Sequence, residues 1–201
     1  NGYLSAKMTE HHVAGAVVSV VKDGQIMFAN GYGYANVAQQ IPVDPETTLF
    51  RIASVSKVFT WTAVMQLVEQ GKLDLNADVN TYLDFAIPGT FPEPITLNHL
   101  MAHTAGFEDR MAEQLADDVE NVVPSAAWLQ MHIPARVRPP GKFSAYSNYG
   151  VALAGYMVER VSGMKYEDYI EQNILIPLKM THSTAHQPIP GAVASFPHAA
   201  G

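Results

Sequence analysis

Cysteine is missing altogether from the 201 residues. That excludes disulfide frameworks, thiolate nucleophiles and cysteine-based zinc sites, and leaves the compartment open. Positive charge is scarce: 12 Lys and Arg stand against 19 Asp and Glu, a formal net charge of −7. A nucleic-acid binder needs a basic footprint, no Lys/Arg cluster supplies one, and no nucleic-acid partner is expected. Long apolar runs are also lacking. The best candidate, Val13 to Val21, is interrupted by Gly15 and Ser19 and falls short of the roughly 18 residues that cross a bilayer. No membrane span is expected in this chain. An initiator Met is absent at Asn1, which fits a processed or trimmed form whose targeting segment would not be seen.

What is present is globular. Hydrophobic residues make up 48% and charged ones 15%, enough apolar material and length for a core. The β-branched stretch at residues 13–21, the Lys22-Asp23-Gly24 turn signal and the apolar Gln25 to Asn30 predict a β-hairpin, which Gly31-Tyr32-Gly33 continues. Those glycines lack the third member and following helix of a dinucleotide fingerprint. Pro42 to Thr48 reads as a loop. Val58, Trp61, Ala63, Val64, Leu67 and Val68 recur at helical spacing and predict a helix over Ser54 to Gln70, closed by Gly71. Trp61 and Met65 are expected in the core.

Thr96 is placed to cap a short helix over Leu97 to Ala102, with Gly106 closing it, and Ser125 to cap another around Trp128. Pro139-Pro140-Gly141 is a turn. Asn148 to Ser162 reads as a helix ending at Gly163, and Tyr166 to Leu175 as another stopped by Pro177. An N-terminal helix is expected to end near a surface-exposed His11-His12, and Glu113 to Glu120 reads as a solvated acidic face. The fold class is α+β. The expected organisation is an N-terminal helix, hairpin and nucleophile helix over 1–75, a mainly helical domain over 76–185, and an irregular tail over 186–201. Two strands make a marginal sheet, so the hairpin must pack on the Ser54 helix or on strands this sequence does not contain.

The chemistry concentrates at two motifs. Ser54-Val55-Ser56-Lys57 is S-x-x-K at a predicted helix start, and i, i+3 spacing sets hydroxyl and amine on one face. A helix N-terminus offers unpaired N–H groups and positive partial charge to the oxyanion of acyl transfer. Serine needs a base to act as a nucleophile. Lys57 could serve if desolvated, or act as a cation that tunes another base. The bland reading is a capping serine with an exposed lysine. Against it stand Phe50, Ile52, Ala53, Val58 and Phe59, which predict partial burial of the motif. The second motif is Tyr146-Ser147-Asn148. A phenol near a cation is stabilised as phenolate and can exchange protons with Ser54, while the Asn148 amide can donate to a substrate carbonyl and accept from Lys57. Its bland reading is a core tyrosine followed by a capping Asn148.

Taken together, S-x-x-K after a hairpin, Tyr-x-Asn in a helical block, Phe50-Arg51-Ile52-Ala53-Ser54 and His103-Thr104-Ala105-Gly106 resemble the serine β-lactamase and penicillin-binding-protein superfamily. The nearest branch is class C-like: D-Ala-D-Ala carboxypeptidases, class C β-lactamases and related esterases. The resemblance implies a transpeptidase-like fold, a helical domain beside an antiparallel sheet, and no cofactor. It implies Ser54 as nucleophile, Lys57 as its activating partner, Tyr146 as general base or acid and Asn148 as a substrate-orienting residue. The Ser54 N–H would serve the oxyanion hole. The substrate would be a small molecule or peptide with an amide, β-lactam or ester carbonyl, and an exported location is favoured.

The family's third motif, Lys- or His-x-Gly on a strand, has no counterpart after Tyr146, and Lys22-Asp23-Gly24 is better read as the hairpin turn. The C-terminal strands that would carry it are expected to be absent from this chain, which would then be an N-terminal portion that turns substrate over poorly. A different class of function, a sensor that is acylated but not turned over, is the alternative. His99 and His103, spaced i, i+4, lack the glutamate of a zinc protease, since position 100 is Leu, so no metal is expected.

Overall fold

Asp23 and Gly24 both adopt positive φ, 52° and 73°, the pair of angles that a two-residue hairpin turn matched to strand twist demands. The chain reverses there. Strand β1 (Gly15–Lys22) runs antiparallel to β2 (Gln25–Asn36), paired from Lys22↔Gln25 to Gly15↔Gly33 with a shift of register at Met27, which bulges from β2. The computed structural model describes residues 2–108 and 125–190. The acidic stretch Glu113 to Glu120 and the end of the expected tail lie outside the described residues.

A third strand, β3 (Ile41–Pro42), pairs with the other edge of β2 through Tyr34↔Pro42 and Asn36↔Ile41. The expectation of a loop beginning at Pro42 therefore needs correcting. A two-residue strand has too little pattern to detect, and proline suits only an edge because it has no N–H to give. Val43 N–H bonds to Gly33 O instead. Gly31 is required here, since a Cβ on it would fall 2.1 Å from Val43 O. Helix α1 (Gly2–Glu10) precedes the sheet, and His11 and His12 after it are exposed. Val20 and Val21, adjacent on β1 and so on opposite faces, are 50% and 60% exposed. Neither face of that end of the hairpin is covered.

The chain forms two compact units, one holding the residues up to Ala53 and the other built on Ser54–Met180. The second carries the helical core. Helix α2 (Ser56–Glu69) buries Thr60, Ala63, Val64 and Leu67, a stripe at helical spacing, and packs on α5 (Asn148–Ser162). Gly71 follows its end at φ 69°, as a C-terminal glycine should. In α5 Leu153, Ala154, Met157 and Val158 are fully buried. The Ser147 hydroxyl accepts from Gly150 N–H at its start, and Gly163 ends it in the left-handed region.

Short helices close the core. Thr96 caps α3 (Leu97–Met101) in a capping box whose other half is the His99 ring. Helix α4 (Ser125–Met131) seats Leu129 against α5, and the Ser125 hydroxyl, expected as a cap, donates to Glu159 at 2.8 Å. Helix α6 (Tyr166–Ile170) runs on into a π-helical turn over Glu171–Leu175. Met65 corrects another expectation: it is 44% exposed, whereas Trp61 packs against the core. Position 65 falls outside the buried stripe of 60, 63, 64 and 67, so methionine's apolar character misled where its phase did not.

Candidate active site

Ser54 sits in a single 3-10 turn (Ala53–Val55) that leads into α2, two residues before the first residue of the α-helix proper. Its neighbour Ala53 has φ 44°, a left-handed angle that non-glycine residues seldom adopt. Lys57 lies in the first turn of α2, and its Nζ reaches back to Ser54 Oγ at 3.2 Å. The i, i+3 relation read from sequence is thus a contact.

From the far side of the sequence, Tyr146 and Asn148 arrive at the N-terminus of α5. Tyr146 OH is 2.6 Å from Ser54 Oγ, across 92 positions of chain. Lys57 Nζ donates to Asn148 Oδ1 at 2.7 Å and lies 4.8 Å from the centre of the Tyr146 ring. Because Ser147 caps α5, Asn148 is free to face Lys57, and the bland reading of Asn148 as the cap does not hold. The four residues singled out by the two motifs form one hydrogen-bonded cluster.

Hydrogen bonds from Lys57 and Ser54 hold the Tyr146 phenol below its ordinary value near 10, with the Lys57 charge adding to them against a slight burial effect. Tyr146 as a residue is 46% exposed. Expected burial of the S-x-x-K motif is corrected: Ser54 is exposed and Lys57 only half-buried, and Val55 and Val58 are 59% and 61% exposed. Of the apolar residues around the motif, Phe59 packs on the core, while Ile52, Val55 and Val58 line an open surface.

Tyr146 is brought to this spot by the His103-Thr104-Ala105-Gly106 turn. Val137 N–H donates to Gly106 O, Gly141 N–H to Thr104 O and Ala145 N–H to His103 O. A Cβ on Gly106 (φ 82°) would fall 2.0 Å from Arg138 O, so the two segments meet backbone to backbone. Farther along, the buried Arg136 guanidinium donates to Pro88 O and Glu93 O. The His103 ring lies 4.6 Å from the Tyr146 ring, centre to centre, and its Nδ1 accepts from Ser147 N–H at 3.1 Å. Sequence reading recognised this turn without seeing what the ring touches. His99 does not share a site with His103: its Nδ1 accepts from Thr96 N–H.

The cluster and its setting can be set against known proteins. The family described as Beta-lactamase matches residues 1–195. The chain belongs to the β-lactamase family. A curated relative, protein flp of Staphylococcus aureus (strain N315), is 32% identical over 189 residues, which cover 90% of this chain and 38% of that protein. The octameric penicillin-binding protein homologue from Pyrococcus abyssi superposes with a TM-score of 0.81 at 32% identity, covering 92% of this chain and 44% of its own. A class C β-lactamase gives 0.78 at 29% identity, covering 98% and 52% respectively. The β-lactamase and transpeptidase-like fold implied by the motifs is therefore the fold of this chain, with helices and a small antiparallel sheet. The chain spans about 38% of the length of the curated relative it matches.

Proposed function

We propose that this chain carries the nucleophile half of a serine acyl-transfer site, acting on an amide, β-lactam or ester carbonyl through an acyl-Ser54 intermediate. One observation carries the reading. The Ser54 hydroxyl lies between a phenol at 2.6 Å and an amine at 3.2 Å, so a proton acceptor and a cation both address the one attacking atom.

In this scheme the Tyr146 oxygen, as phenolate, takes the Ser54 proton while Oγ bonds to the carbonyl carbon and the carbonyl π pair moves to oxygen. Collapse of the tetrahedral species breaks the bond to nitrogen or to the ester oxygen. The leaving group takes the proton back from Tyr146, and an ester on Ser54 remains. Water repeats the sequence to release the acid. The Lys57 cation stabilises the phenolate through its bond and its position near the ring, and Asn148 holds Lys57 while its amide N–H groups orient a substrate carbonyl. The Ser54 N–H, near the start of α2, is the proposed oxyanion donor. The third motif and its strand are proposed to come from outside these residues. That arrangement predicts acylation with slow turnover here.

A fluorescent penicillin and a short-chain p-nitrophenyl ester test the reading together. Covalent label on the chain that is lost in Ser54→Ala supports the acyl-transfer reading, and rapid ester release adds esterase activity to it. Slow release of that label is the outcome expected here, and label that is never released favours the sensor reading. No label at Ser54 from either reagent overturns the proposal.

A further inference from the structure

The Ser147 amide can donate to the His103 ring only while Nδ1 carries a lone pair, so the proton of the neutral ring must sit on Nε2. This fixes a tautomer from geometry alone. The same residue also accepts from Ala145 N–H through its carbonyl, at 2.8 Å. His103 thus grips the residues on both sides of Tyr146 and sets its ring against the residue between them, 4.6 Å away and tilted by 34°.

We propose that His103 is the positioning residue for Tyr146, and that neutral His103 is a condition for acylation at Ser54. The inference rests on the acyl-transfer reading above and adds a residue to it. His103 touches neither Ser54 nor the reacting carbonyl in this scheme. It acts through the backbone of residues 145–147, by fixing where the phenol oxygen falls.

A proton on Nδ1 would replace an acceptor by a donor facing another donor, Ser147 N–H, and the grip would open on that side. The tyrosine would keep only the Ala145 bond, a looser hold on an oxygen that must stay within 2.6 Å of its partner. Lys57, from α2, resists that proton with its positive charge, whereas Tyr146, which covers the ring from the segment ahead of α5, favours it when ionised. Burial first, and the Lys57 charge second, push the imidazole below its ordinary value of 6.5. The left-handed angle at His103, φ 55°, restricts what can replace it. Asparagine tolerates that region and offers an amide oxygen near the Nδ1 position, yet does not titrate.

The test compares the whole chain with His103→Asn and His103→Ala. Uptake of fluorescent penicillin at Ser54 is followed between about pH 5 and pH 8, the range in which histidine changes charge. The native chain is expected to lose its acylation rate more steeply than the loss of the Tyr146 phenolate alone requires as pH falls through the His103 value. His103→Asn should keep the neutral-pH rate within about threefold and show at acid pH only the fall set by Tyr146, while His103→Ala should be slower by about tenfold or more at every pH. Alanine acylating as fast as the native chain, with the same acid limb, overturns the positioning role.

A second measurement does not need acylation. Nitrogen-15 spectra of the native chain report the His103 tautomer and the Ser147 amide shift. The expected result is an Nε2–H ring below neutrality's usual titration point, with the Ser147 amide moving in step with ring protonation. An Nδ1–H ring, or an amide indifferent to it, overturns the inference. If the native chain takes no label at all, the acyl-transfer reading fails, and the spectra still decide whether His103 holds this segment.

Discussion

Lys57 Nζ donates to Asn148 Oδ1 at 2.7 Å, a closer contact than the 3.2 Å it makes with Ser54 Oγ. The amine is therefore held mainly from α5, although it grows from α2. A bond between residues 91 positions apart ties the first turns of the two helices together and aims the charge at the serine. Asn148→Ala should leave α5 intact, because Ser147 does the capping, but release Lys57. Acylation of Ser54 is expected to slow by about a hundredfold, the usual loss when one oriented polar group is removed from an acyl-transfer site. Stopped-flow labelling checks it, and an unchanged rate would deny Asn148 its orienting role.

Tyr146 should ionise ahead of the other tyrosines. Its neighbours favour the phenolate, with hydrogen bonds from Lys57 and Ser54 dominant. Tyr156, buried and bonded to Asp84, is pushed up to about 12, and burial drives Tyr149 higher still. The tyrosinate absorbance of the native chain minus that of Tyr146→Phe should show a midpoint below 10. The acylation rate should rise with pH through that midpoint and then level, because the base form is the deprotonated one. A difference midpoint at or above 10 would remove the phenolate from the scheme.

Two glycines with similar angles should respond differently to alanine. Gly163, at φ 74°, has nothing within 4 Å of an added Cβ, so Gly163→Ala carries only the left-handed penalty of about 1–2 kcal/mol. Gly106, at φ 82°, would drive its Cβ to 2.0 Å from Arg138 O. Gly106→Ala should cost that penalty and a further 1–3 kcal/mol of displaced backbone. Thermal melts order the two variants, and equal melting points would contradict the close approach.

Stability and chemistry should separate at Ser147. Its hydroxyl accepts from Gly150 N–H while its own N–H goes to His103. Ser147→Ala removes the cap, at a cost of about 1 kcal/mol, and keeps the bond to the imidazole. Denaturant unfolding should show the loss with labelling of Ser54 nearly unchanged.

Much of this arrangement was legible because local signals agreed with tertiary ones. The end of α5 follows from the glycine after it, and the hairpin from Asp23-Gly24 between β-branched runs. The S-x-x-K relation is local geometry, a single turn of chain. What could not be read depends on partners distant in sequence. The hold of His103 on the Tyr146 segment spans 44 positions, and no periodicity encodes it. Exposure of Val55, Val58 and Met65 was hidden for the same reason: hydrophobicity reports a side chain's preference, whereas burial depends on what the fold brings opposite. The edge strand β3 was too short to leave a pattern.

The ladder on the His103–Gly106 turn has a last consequence, for how this stretch can vary. The opposing chain is pinned at Val137, Gly141, Ala145 and Ser147. Between two of those pins Lys142 and Phe143 are exposed, and so is Ser144, whose hydroxyl donates to Ala102 O. The identities of Lys142 and Phe143 are open to change, but the number of residues is not. One inserted residue adds about 3.3 Å of chain, more than the reach of the bond it would have to preserve, so it must loop outward or carry the phenol away from the serine. Drift in this stretch should then appear as changes of letter at constant length.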